Sequence, residues 1–223
     1  MAFTMAHLYI AKNIYEKIPD IIKIKDLSQF YLGTIAPDAV HNRADYISDY
    51  KRASHLCVGD EPWGMVTNND EWIANVLNFF CKNKNSDNFD FISGYCVHIL
   101  TDIYNNIAVW IPFKQKYQYK PGKGYGNLYH QESETVDIEL ALKHENKKDF
   151  WIYLEKAKPI NLDNLDNIIF ADDIEKQKEN ILYYWYKNQK HQDIASNKII
   201  TIESNIKFVK DATVFVADKL ISL

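Results

Sequence analysis

Residues 91–106 read FISGYCVHILTDIYNN, a run that is apolar on nearly every side of a helix. A helix without a polar face has no surface to offer water, so other elements must wrap it. A chain of 223 residues is long enough to do so. Inside the run, His98 and Asp102 fall one turn apart on the same face. An ionised carboxylate buried without a partner is costly, so a hydrogen-bonded side chain or a metal ion must meet Asp102.

The rest of the sequence reads as helices able to do the wrapping. His7, Ile10, Ala11, Ile14 and Ile18 recur at helical spacing, which puts His7 on an apolar stripe. Asp26 with Gln29 resembles a capping box, opening a short helix through Phe30, Tyr31 and Leu32 that stops at Gly33. Thr34 to Pro62 is polar and broken by Pro37 and Gly59, and reads as a long ordered loop with short helical turns. A helix from Asn69 should bury Trp72, Ile73, Val76, Leu77 and Phe80, and the next spans 90–109. After a connector at 114–127 come helices over 128–144, 148–157, 172–190 and 205–221. Only Lys198–Ile202 tempts as a strand. No repeat or composition shift divides the chain, so residues 1–223 are expected to form one all-α, multi-helix domain.

Composition narrows the function. A formal charge of −4 without clustered Lys and Arg removes the usual basis for binding nucleic acid or an anionic membrane. No apolar run reaches bilayer length, and MAFTMAHLYIAKNIYEKI lacks the features of a secretory leader. Cys57, Cys81 and Cys96 form no CxxC pair and are odd in number, against a disulfide framework. A cytoplasmic protein with reduced thiols is the expectation.

Three His-x-x-x-acid pairs occur: His41/Asp45, His98/Asp102 and His130/Glu134, with Asp137 a turn beyond the last. Seven His and 30 acidic residues in 223 give about one by chance (7 × 30/223), so the setting matters more than the number. A His–carboxylate hydrogen bond would satisfy any single pair. Several such residues on separate helices, His7 among them, call for a shared reason. Imidazoles and carboxylates without clustered thiolates suit zinc.

The order of these segments resembles the zinc-dependent phospholipase C family, related in fold to the S1/P1 nucleases. AHLYIAKNI is similar to that family's first helix and points to His7 as a ligand. FYLGTIAPDAVH resembles the Gly-x-x-x-Pro-Asp element of its shorter members, pointing to Asp38, and ASHL supplies His55. GYCVHILTD resembles the core helix, with His98 as a ligand and Asp102 as a carboxylate able to bridge metals. HQESETVD resembles the closing helix, adding His130 and Glu134, so the likeness spans about residues 5–140. Asp45 is the second choice for the loop carboxylate.

The resemblance implies hydrolysis of a small-molecule or lipid phosphoester by metal-activated water, with Asp38 and Asp102 as catalytic carboxylates. Founding members also use an N-terminal Trp and a further His six residues after the bridging Asp. Met1 and Ala108 stand there in this sequence, so one or two zinc ions are expected rather than three. The same departures leave open a non-catalytic metal-binding or interaction domain. A phosphohydrolase of the HD type is disfavoured because no His-Asp dipeptide occurs, and a purely structural domain would use the pairs as dry hydrogen bonds. His41 either extends the site or sits in a solvated loop, while His144 and His191 read as surface. PGKGYGN reads as a turn, not a phosphate cradle. Trp63, Trp72 and Trp110 are candidates for cleft walls, Trp72 with core packing as its alternative.

Overall fold

The apolar run becomes the central helix, in which every residue from Phe91 to Ile103 is buried. A computed structural model describes residues 3–17, 19, 22–117, 125–143 (backbone alone at 125 and 126), 149–158, 160 and 169–222. In chain order the helices are α1 (Thr4–Lys17), α2 (Leu27–Ile35), α3 (Ser48–Ser54), α4 (Asn69–Lys82) and α5 (Phe89–Asn105). They continue with α6 (Ile111–Lys116), α7 (Tyr125–Lys143), α8 (Phe150–Lys156), α9 (Ala171–Glu179) and α10 (Ile202–Ile221). No strand occurs among the described residues, and the fold is all-α. Helices α1, α2, α4 and α10 pack around α5, as its lack of a polar face requires. Among the described residues, no helix is long and apolar enough to cross a membrane.

Helices α2 and α5 cross with their backbones in contact. A Cβ on Gly33 would lie 2.0 Å from the Phe91 carbonyl oxygen, and one on Gly94 would lie 1.9 Å from that of Phe30. Two glycines therefore let two backbones touch. Gly33 does not end its helix as the sequence reading expected. It is a packing residue; α2 runs on to Ile35, and a 3-10 helix continues through Ala36–Asn42. The presumed loop at 34–62 is thus largely helical, with α3 following at Ser48–Ser54.

Other boundaries shift for local reasons. Asp26 does cap α2, accepting from the Ser28 and Gln29 amides, but the Gln29 side chain donates to the Lys158 carbonyl instead of completing a box. The α-helical hydrogen bonding of α5 gives way to a π-helical turn at Asn106–Trp110, after which α6 occupies the start of the presumed connector. A second π-helical turn, Asn180–Trp185, follows α9. His144 and most of the PGKGYGN turn lie outside the described residues.

Lys198–Ile202 is not a strand: the chain bends at Lys198 and Ile199, α10 begins at Ile202, and a side chain on another helix holds the bend. The buried Glu132 carboxylate accepts from the amides of Lys198, Ile199 and Ile200 at 2.8, 2.6 and 2.9 Å. It satisfies three consecutive backbone donors at once. Glu132→Gln keeps the shape but turns one acceptor oxygen into a donor facing an amide. The expected loss is about 2 kcal/mol of stability, read from the midpoint of urea unfolding.

Candidate metal centre

Four elements bring polar side chains to one side of α5. The α2–α5 crossing places the Thr34 carbonyl 2.7 Å from His98 Nδ1. A carbonyl only accepts, so Nδ1 carries the proton and Nε2 keeps its lone pair. His55 caps α3 and is held the same way, its Nδ1 lying 2.9 Å from the Lys51 carbonyl. Trp72 Nε1 donates to the His55 carbonyl at 2.7 Å, and Leu56 turns the chain away with φ at +52°, a strained value for Leu. The result is two Nε2 atoms 3.3 Å apart, both acceptors. Burial pushes both imidazoles below their usual range, which keeps them neutral near pH 7. Two lone pairs facing each other across that distance repel unless a cation lies between them.

Carboxylates close the arrangement. Asp102, one turn beyond His98, has Oδ2 3.4 Å from His55 Nε2 and Oδ1 3.4 Å from His7 Nε2. Asp38 comes from the 3-10 helix after Pro37, with Oδ1 3.5 Å from His55 Nε2 and Oδ2 3.8 Å from His98 Nε2. Burial opposes charge on both. Even so, the Lys51 ammonium holds the Asp38 carboxyl below its ordinary range, and the His7 imidazole beside Asp102 does the same for that carboxyl. Of the two loop carboxylates, Asp38 is the one at the site. Asp45 is exposed and accepts from the Tyr50 hydroxyl.

Donors about 2.0–2.2 Å from one tetrahedral ion stand roughly 3.3–3.6 Å apart, and most of these separations fall there. Asp38, His55 and His98 form one group able to hold a metal ion, and His7, His98 and Asp102 form a second. Both use His98, whose single free lone pair serves one ion at a time. The His7 and His98 rings are stacked 3.7 Å apart and 2° from parallel, so their in-plane lone pairs run side by side without converging. The first group is the better fit, with Asp102 beside it. His7 is buried, and among the described residues neither of its ring nitrogens has a hydrogen-bond partner.

His130 and Glu134 stand apart. Both are exposed on α7 and belong to neither group. His130 lines a cleft of about 300 Å³ with Lys51, Trp63, Trp72, Asp102 and Trp110, so all three tryptophans face the site. Glu134 lines a cavity of about 590 Å³ that reaches Asp38 and His41 from elsewhere. Asp137, a turn further on, is buried and accepts from the Met5 amide at 2.7 Å and the Tyr186 hydroxyl at 2.5 Å. His191 is exposed, with Nδ1 3.2 Å from Glu139.

Lys51 was not anticipated. Its side chain is 1% exposed, and Nζ donates to Asp38 Oδ1 at 2.7 Å. His41 Nε2 lies 3.1 Å from the same ammonium, and burial, aided by that charge, pushes the His41 pKa down to about 4. One signal was available: Lys51 precedes His55 by one helical turn and so shares its face.

Asp137 gives a pH test away from the centre. Burial, opposed by its two donors, raises its pKa from 3.8 to about 6. The folded chain then binds the proton more tightly than the unfolded one. Its stabilising contribution is complete below pH 4 and is lost as pH rises through about 6. The change should be on the order of 2–3 kcal/mol, and Asp137→Asn should flatten the thermal midpoint between those pH values.

No family model, curated protein or solved structure matches the chain.

Proposed function

We propose that this protein is a metal-dependent phosphoester hydrolase of the zinc-dependent phospholipase C kind. The observation that carries the reading is the pair of neutral Nε2 acceptors on His55 and His98, facing each other between two ionised carboxylates. Imidazole and carboxylate donors, with no cysteine among them, favour zinc. His55, His98 and Asp38 would hold the ion, with Asp102 beside them and His7 Nε2 3.4 Å from Asp102. A bound zinc supplies Lewis acidity, lowering the pKa of water and drawing charge from a phosphoryl oxygen.

The chain's own residues do the rest. Thr34 and Lys51 carbonyls hold both imidazoles in the tautomer that a ligand needs. The Lys51 ammonium keeps Asp38 ionised, which makes Asp38 a good ligand and a poor proton acceptor. Trp63, Trp72 and Trp110 wall the cleft against water, and a small phosphoester fits its volume of about 300 Å³.

Elemental analysis of the purified protein, followed by a screen of nitrophenyl phosphomonoesters and phosphodiesters, tests this. Bound zinc and a turnover abolished by chelator are expected. A protein that contains no metal and takes none up ends the reading. The exposure of His130 and Glu134 favours a second one, a metal-binding domain without turnover. Bound metal with no hydrolysed ester would select it.

A further inference from the structure

We infer that the Lys51 ammonium occupies the place of a second divalent ion and holds this centre to a single metal. The inference rests on the reading that the cluster binds metal. The surroundings of Nζ are those of a ligand shell. Asp38 Oδ1 is 2.7 Å away and His41 Nε2 3.1 Å, and these two atoms are 3.8 Å from each other. A carboxylate oxygen and an imidazole nitrogen at such separations are the donor types that bind zinc. The Trp63 ring lies 4.8 Å below the ammonium and closes that side. Lysine is among the residues least often buried, and its charge is tolerated inside a protein only against compensating partners. Here those partners belong to the metal site.

Charge points the same way. Asp38 and Asp102 bring two negative charges and Lys51 one positive, with the neutral His55 and His98 rings between them. One divalent ion then leaves the centre at a net +1. A second would leave it at +3, with three cations within a few ångströms of one another. Repulsion at such distances is strong even at an intermediate dielectric and opposes a second ion. Without Lys51 the same two carboxylates balance two ions to within +2, and both Asp38 Oδ1 and His41 Nε2 become available to the second. A resident ammonium thus does the electrostatic work of an ion that the site would otherwise recruit.

The test counts metal instead of turnover. Wild type, Lys51→Met and Lys51→Ala are saturated with zinc, desalted and assayed by elemental analysis, with circular dichroism reporting the fold. One ion per chain is expected in wild type and two in a folded Lys51 variant. Adding His41→Ala should return that variant to one. Two ions in wild type overturn the inference, as does a folded Lys51 variant that stays at one. A wild-type count of zero is a different failure, since it removes the metal reading itself. If both Lys51 variants unfold, calorimetric titration of wild type with zinc decides. A single saturable site supports the inference, and a second of micromolar or tighter affinity overturns it.

Discussion

His98→Ala is expected to yield a protein without bound metal and with phosphoester hydrolysis lowered roughly a thousandfold or more. Among the described residues, no other belongs to both groups able to hold an ion, so its loss leaves each with two donors. The effect can be read without activity. A metal that binds the folded chain stabilises it by mass action, by about 4 kcal/mol when free metal exceeds its Kd a thousandfold. Chelator should therefore lower the thermal midpoint of wild type and leave that of His98→Ala unmoved. A variant that keeps a full complement of metal would show that the facing imidazoles are not the ligands.

Gly94→Ala should destabilise the fold by upwards of about 3 kcal/mol, an unusually large effect for one methyl group. Most added methyls in a core meet side chains that can shift. This one meets the Phe30 carbonyl at 1.9 Å, so α2 and α5 must move apart as rigid bodies. The cost should extend to the site, because the same crossing sets the Thr34–His98 hydrogen bond. Urea unfolding gives the stability and elemental analysis the metal. An unchanged midpoint would mean that the helices do not approach so closely. Gly33→Ala, whose Cβ would meet the Phe91 carbonyl at 2.0 Å, should behave alike.

The central helix, its burial and the His98–Asp102 face were legible before any coordinates, because each depends on residues within a turn or two of one another. The same holds for the helical stripe that carries His7 and for the Asp26 cap. Gly33 was misread for an instructive reason. A glycine near a helix end has the same local signature whether it stops the helix or admits a neighbouring backbone, and only the neighbour distinguishes the two. Lys198–Ile202 differs for a like reason, since its bend answers to Glu132 on another helix.

The candidate site divides along the same line. Residue types and helical spacing established an all-α chain with imidazoles and carboxylates on apolar faces, since helical periodicity is a property of near neighbours. Which of those groups meet was settled by packing. Asp38 stands beside His55 and His98 while Asp45 does not, and His130 and Glu134 line cavities that reach Asp102 and Asp38 but belong to neither ligand group. Lys51 enters the centre though no sequence pattern marks it as a partner of Asp38. These meetings join residues far apart in sequence, 64 positions for Thr34 and His98, and such distances are set by how closely helices can approach. Two glycines at one crossing set that approach, and with it the Thr34–His98 hydrogen bond that fixes the ring.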